Sequence, residues 1–414
     1  MSEEIINNLS NPRQLEKLYR DNKTTFKSAF NSIYQDVREN PAAQIWNERL
    51  NFENQEISWG TNRELLFVIA AAFVAGLIAK IPDFATIKPE YFYPRNLAFV
   101  VFPVLVAYFS WKQKNQTRQI IVGAIAILLS VLYINLLPDN PKSDTLILAC
   151  IHLPLFLWAV LGFTFLGKNV NNLERRLEFL RYNGDLVVMT TIILIAGAIL
   201  TAVTFGLFKL IEVNIEIFYS KYVIVWGLSA APVVGTYLVQ TNPELVSKVS
   251  PVIAKVFTPL VLVTLVAYLF AVISSGKDPY NNRDFLLIFN VLLIGVMAII
   301  LFSIAETANN TGNRFGTLLL FGLSVVTIMV NGIALSAILF RISEWGITPN
   351  RLAVLGGNLL ILANLLLVAY RLLRTFKDRN QMAQVEKSIA LFLPLYSLWT
   401  IIVTFVFPLL FNFK

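Results

Sequence analysis

The sequence predicts an all-α bundle of about eleven transmembrane spans, preceded by a small cytosolic helical unit at residues 1–60. Three observations carry that expectation. Apolar stretches of ~18 residues or more recur after residue 63 and are long enough to cross the hydrocarbon core as helices. Of the 414 residues, 56% are hydrophobic and only 14% charged, against about 25% charged in soluble domains. Cations also gather on alternate connections between the stretches, as the positive-inside rule requires of a polytopic chain.

Residues 1–60 are polar and lack the short apolar core of a cleavable signal, so the first span is expected to act as an internal signal-anchor. "NPRQ" (11–14) offers Asn11 as N-cap, Pro12 at the first helical position and Gln14 as reciprocal capping partner. Phe26, Phe30, Ile33 and Val37 recur at helical spacing, giving one apolar face. Asn40–Pro41 restarts a helix carrying Ile45, Trp46 and Leu50. So short a unit seldom holds a core alone, which leaves two readings: a plain cap, or a docking module for a protein partner.

Residues 61–414 form the expected membrane domain. Spans are read near 65–82, 96–111, 119–137, 145–167, 186–211, 222–240, 256–275, 285–305, 315–341, 350–372 and 389–412. Lys112, Lys114 and Arg118 follow the second, Lys168, Arg175, Arg176 and Arg181 the fourth, and Arg371, Arg374, Lys377, Arg379 and Lys387 the tenth. "PDNPKSD" (138–144) and "GKDPYNNRD" (276–284) lack such an excess. The bias puts the N-terminus in the cytoplasm of a plasma-membrane protein. In "NNLERRLEFLRYNGD" (171–185), Leu173, Leu177 and Leu180 share a face, the pattern of a helix lying in the headgroup layer, with Asn183–Gly184 turning into the next span.

The chemistry of catalysis is hard to assemble here. One histidine removes metal-binding histidine pairs and histidine-based triads, and one cysteine, Cys150, removes a disulfide framework and a thiolate metal site. Asp83 and Glu90 lack the spacing of a divalent-metal pair, and neither "GLSAAP" nor "FGLSVV" completes a nucleophile elbow. The expectation is no enzyme, no catalytic residue, no metal and no cofactor. The net charge of +8 is read as orientation and headgroup contact, so membrane lipids are the expected partners and nucleic acid is not.

Polar groups inside the spans are the remaining signal. Asn290, Asn331, Asn358 and Asn364 must face the bundle, because an unsatisfied amide in lipid costs several kcal/mol. They are candidates for a substrate pathway or for interhelical hydrogen bonds, each worth about 0.6 kcal/mol. His152, in "CIHLPLF", is read either as a relay or as a group bonded to a carbonyl beside Pro154. Pro232, Gly235, Gly356 and Gly357 mark places where a span is free to bend. No Asp or Glu stands at mid-span, which disfavours a proton-coupled carrier.

The stretch "RISEWGITPNRLAVLGGNLL" (341–360) concentrates the rest. Arg341 closes the ninth span at the negative end of its dipole. Gly346 permits the turn, and Thr348 caps the next helix with Pro349 at its first position. Trp345 suits the headgroup level. Arg351 stands near a positive helix end, so a negative partner is expected: Glu344, a lipid phosphate or an anionic substrate. "EWGITPNRLAVLGGNLL" resembles the E-Y-G-L/I-T-x-N-R corner of the bacterial membrane family called domain of unknown function 4153, with Trp345 in place of tyrosine. "ISWGTNRELLF", leading into the first span, is similar to members of the same family. The resemblance implies a polytopic bacterial inner-membrane protein and marks Glu344, Gly346, Thr348 and Arg351 without giving them a task. The residues favour a permease-like protein for a small solute or lipid; the alternative is a non-transporting sensor or scaffold acting through residues 1–60. A membrane-embedded transferase is the weakest of the three.

Overall fold

Two compact units divide the chain, Met1–Gly60 and Thr61–Lys414. The structure, a computed structural model, describes residues 1–52, 60–210, 214–243, 258–263, 265–267, 269–270, 290, 293–301, 303–304, 314–376 and 382–414. Among these there is helix and no strand.

The first unit contains α1 (Ser2–Asn7), α2 (Pro12–Asp21), α3 (Lys23–Val37) and α4 (Pro41–Phe52). Asn11 caps α2 by accepting the Gln14 amide at 3.3 Å, and Asn22 caps α3 in the same way through Thr25. Phe26 and Phe30 are fully buried, with Leu15, Tyr19, Trp46 and Leu50 around them. Tyr19 and Phe26 meet Trp46 with ring centroids 5.4 and 5.1 Å apart, and Arg49 lies over the Trp46 ring at 4.6 Å. The unit therefore closes a core of its own, in which the aromatic rings supply much of the buried area. Ile45, on the same helix as Trp46 and Leu50, is 68% exposed.

In the second unit, nine helices among the described residues are long and apolar enough to cross a membrane, the architecture of a multi-pass membrane protein. They are α5 (Asn62–Ala79), α7 (Pro89–Lys112), α8 (Thr117–Leu136), α9 (Asp144–Leu166), α10 (Leu173–Leu210), α11 (Glu216–Thr241), α12 (Arg314–Trp345), α13 (Pro349–Thr375) and α14 (Met382–Leu410), with the short α6 (Ile81–Ala85) after the first. Of the eleven spans expected, those at 256–275 and 285–305 are described only in part, with helix at 258–263, 265–267 and 269–270 in the first and at 290, 293–301 and 303–304 in the second.

Three expectations are corrected. The second span starts at Pro89, not residue 96, because Pro89 enters as the first helical residue, where its missing N–H is harmless. Residues 173–185 are no separate headgroup helix: α10 runs unbroken through Asn183–Gly184 and is ~57 Å long at 1.5 Å per residue. Its first turns carry buried Leu177, Phe179 and Tyr182, which pack into the bundle rather than on its surface. Helix α13 runs without interruption through Gly356 and Gly357, so neither glycine unwinds it. A Cβ on Gly356 would stand 2.1 Å from the Trp399 ring, so the glycine pair is a notch that admits the indole of α14.

Antiparallel contacts sort the helix termini into two ends. At one, Glu64 of α5 accepts bonds from Tyr108 and Lys112 of α7, each at 2.6 Å. This basic end also holds the termini bearing Arg118, Lys168, Arg175, Arg374 and Lys387. At the other, the corner end, Arg95 of α7 meets the end of α8, and the Ser143 hydroxyl before α9 donates to the Phe413 carbonyl at 3.0 Å.

Candidate functional site

The corner between α12 and α13 is built as its sequence requires. Gly346 adopts a φ of 74°, open to glycine and costly for other residues. Its amide donates to the Ile342 carbonyl at 2.9 Å, closing α12. The Thr348 hydroxyl accepts the Arg351 amide at 3.3 Å, and Pro349 opens α13.

Of the three partners expected for Arg351, the Glu344 brace is the one the structure does not form. Glu344 is exposed and makes no ion pair with it. Instead the Arg351 Nη1 donates to the carbonyls of Trp345 at 2.8 Å and Gly346 at 2.7 Å. Those acceptors belong to the last turn of α12, where carbonyls lack helical partners and the dipole is negative. The adverse dipole at the start of α13 is offset by the favourable one at the end of α12. Arg341 and Arg351 both stand over the Trp345 ring, at 5.5 and 5.6 Å. Trp345 thus gathers two cations on one indole as well as anchoring the corner.

A cavity of about 420 Å³ opens beside this corner. Arg341, Thr348, Asn350 and Arg351 line it from α12 and α13, Asp144 from the first turn of α9, and Asn290 from the region between α11 and α12. Leu148, Ile151, Ile338 and Val354 supply its apolar wall. Arg341 is 8% exposed. The arrangement pairs a positively charged rim and one carboxylate with an apolar interior, so it can receive an anionic or zwitterionic head joined to an apolar part.

Of the other pathway candidates, only Asn290 reaches this cavity. Asn358 donates to the Asn290 Oδ1 at 2.9 Å, and Asn331, fully buried, donates to the Asn358 carbonyl at 3.1 Å. Asn364 donates to the Tyr396 hydroxyl at 3.0 Å. These amides link α12, α13 and α14 through hydrogen bonds, while one oxygen each on Asn331 and Asn364 stays buried without a partner. The His152 Nδ1 bonds the Leu148 carbonyl of its own helix at 2.9 Å, and the ring is not part of the cavity wall. Asn350 and Asp144 were not singled out as site residues from sequence. Asn350 lies inside the T-P-N-R run and was legible there; Asp144 reads as an ordinary N-terminal acid until the fold sets it opposite the corner.

Among the described residues, no group of three or more His, Cys, Asp or Glu side chains is placed to hold a metal ion. No protein-family model matches this chain, and neither a curated protein nor a solved structure matches it.

Proposed function

We propose that this chain is a permease-like, non-enzymatic membrane protein that takes a small amphiphilic solute or lipid head at the corner cavity. The observation that carries the reading is the convergence of Arg341, Asn350, Arg351, Asp144 and Asn290 on one cavity of about 420 Å³ with an apolar inner wall. Polar groups at the mouth fix orientation and an apolar wall excludes water, the usual division in a binding pocket. The bonded amides of Asn331, Asn358 and Asn364 serve as rigid backing, and Asn290 is where that network meets the ligand.

We propose eleven crossings, the nine helices described and two between α11 and α12. The Tyr182 hydroxyl lies 2.9 Å from the Thr236 hydroxyl, which sets the end of α11 beside the start of α10, at the basic end. Helix α12 closes at the corner end and so opens at the basic end. Helix α11 thus ends, and α12 begins, at the same end of the bundle, which accommodates the two further spans we propose between them. The cations at the basic end favour a cytoplasmic placement there, with residues 1–60 in the cytoplasm and the corner outside. The corner motif keeps the resemblance to domain of unknown function 4153, and with it a bacterial inner membrane, as the proposed setting. A second reading, a sensor or scaffold docking a protein partner through residues 1–60, draws on the closed core of that unit.

The test is ligand retention. The full chain, purified in mild detergent, is extracted and its small molecules and lipids compared with those of Arg351→Gln and Asn350→Ala. A species bearing an anionic or zwitterionic head, enriched in the wild type and depleted in both variants, supports the reading. Identical extracts from all three proteins overturn it.

A further inference from the structure

A second cavity, of about 390 Å³, lies toward the basic end between α9, α10 and α14. Its walls are apolar, with Trp158 and Phe163 from α9, Phe179 from α10, and Leu393 and Leu398 from α14 among them. Phe179 is able to form its floor because Gly162 faces the ring, where a Cβ would stand 3.0 Å away. The lining runs along α14 from Leu393 to Ile401, a distance of ~12 Å at 1.5 Å per residue.

One cation is built into this groove. Pro394 lacks an N–H, so the Ala390 carbonyl one turn earlier loses its helical donor. The Arg176 Nη1 replaces it at 3.1 Å, and the Arg176 Nε donates to the Val170 carbonyl at 2.9 Å. Two neutral acceptors fix the guanidinium without neutralising it, and among the described residues Nη2 has no hydrogen-bond partner. Lys168, exposed in the turn between lining residues Leu166 and Val170, makes no ion pair among the described residues. Arg175 is different, because Glu178 pairs with it. Two uncompensated cations thus stand at the basic mouth of an apolar groove in a bundle built to sit among lipids.

We propose that this groove binds one anionic phospholipid, with an acyl chain along α14 and the phosphate at Lys168 and the Arg176 Nη2. Basic pockets between membrane helices recognise acidic head groups in this way. The proposal needs the bundle to lie in a bilayer and is independent of what the corner cavity holds.

The experiment uses the full chain in nanodiscs of equal phosphatidylglycerol and phosphatidylcholine, released into mild detergent, with retained lipid counted by native mass spectrometry. The wild type is expected to retain phosphatidylglycerol preferentially. Lys168→Gln and Arg176→Gln should each lower that preference about fivefold, the usual worth of one cation at a membrane surface. Leu398→Trp, at a position 53% exposed on the groove wall, should lower retention of both lipids by filling the groove. Arg374→Gln, at the same end but outside the lining, should change neither. If Arg176→Gln does not fold, Lys168→Gln and Leu398→Trp decide the matter alone. Equal retention of the two lipids by the wild type, or a preference that survives Lys168→Gln together with groove occupancy that survives Leu398→Trp, overturns the proposal.

Discussion

Three helices end at the corner end of the bundle with a cation at their close, and the three differ in what that cation meets and how much of it is used up. Arg95 closes α8. It is 3% exposed, donates to the carbonyls of Ile134, Leu137 and Pro138 at 2.6, 3.1 and 3.3 Å, and stacks on Tyr91 at 4.4 Å. Lys80 closes α5, also 3% exposed, paired with Asp83 and lying over the Tyr222 ring at 4.6 Å. Arg351 closes α12 through a single nitrogen shared by two carbonyls, with the rest of its guanidinium toward a cavity. The same device serves structure alone where it is sealed and becomes available for binding where it is left open. What separates them is burial and the number of acceptors, not residue type.

That contrast is broken most forcefully at Arg95. Arg95→Ala leaves the buried carbonyls of Ile134 and Leu137 without a donor, each costing about 1–3 kcal/mol, while the exposed Pro138 carbonyl keeps the Asn140 amide at 3.0 Å. The expected loss is about 3 kcal/mol or more, read as a large drop in thermal midpoint or failure to purify as a monodisperse species. Arg351→Ala should cost only about 1 kcal/mol, because water reaches the two carbonyls it abandons, yet it should abolish retention of the corner ligand. Arg374→Ala, whose side chain rests on Tyr370 at 4.7 Å and lines neither of the two cavities described above, should disturb neither. Equal losses at Arg95 and Arg351 would remove the distinction between a sealed and an open cap.

The same comparison shows what was readable in the sequence. Spans were legible wherever a run of apolar residues was itself the signal, and the corner was legible because Gly346, Thr348 and Pro349 act within a few residues of one another. Arg95 was not: its acceptors lie at Ile134 and Leu137, and sequence alone placed residue 95 in a loop before a span. The Gly356 notch escaped for the same reason, since its occupant, Trp399, comes from another helix. The unbroken course of α10 through Asn183–Gly184 shows tertiary packing overriding a local turn signal, with Asn183 accepting the Trp158 indole N–H at 2.9 Å. Sequence named three of the six polar groups at the corner cavity as corner residues and Asn290 as part of a pathway. It could not bring Asp144 to them, because only the packing of α9 against the corner does that.

Lys80 offers the mildest test, through pH. Lys80 beside Asp83 holds the Asp83 carboxyl below the usual carboxylate range, with Lys221 at 3.8 Å adding to the effect. In the unfolded chain that carboxyl takes its ordinary value of about 3.9. Because the folded value is the lower one, the pair's contribution is fully present above the unfolded value and fades as pH falls from there through the folded one. Asp83→Asn removes the ionisable group while keeping an acceptor near Lys80. The gap in thermal midpoint between wild type and variant should therefore be steady near neutral pH and close as the solution is acidified below about pH 4. The gap should be small even when widest, because Asp83 is one-third exposed and water screens the pair. A gap that stays constant through acidification would mean that the charge on Asp83 does not help hold the end of α5, and that the Lys80 cap rests on burial and the Tyr222 ring alone.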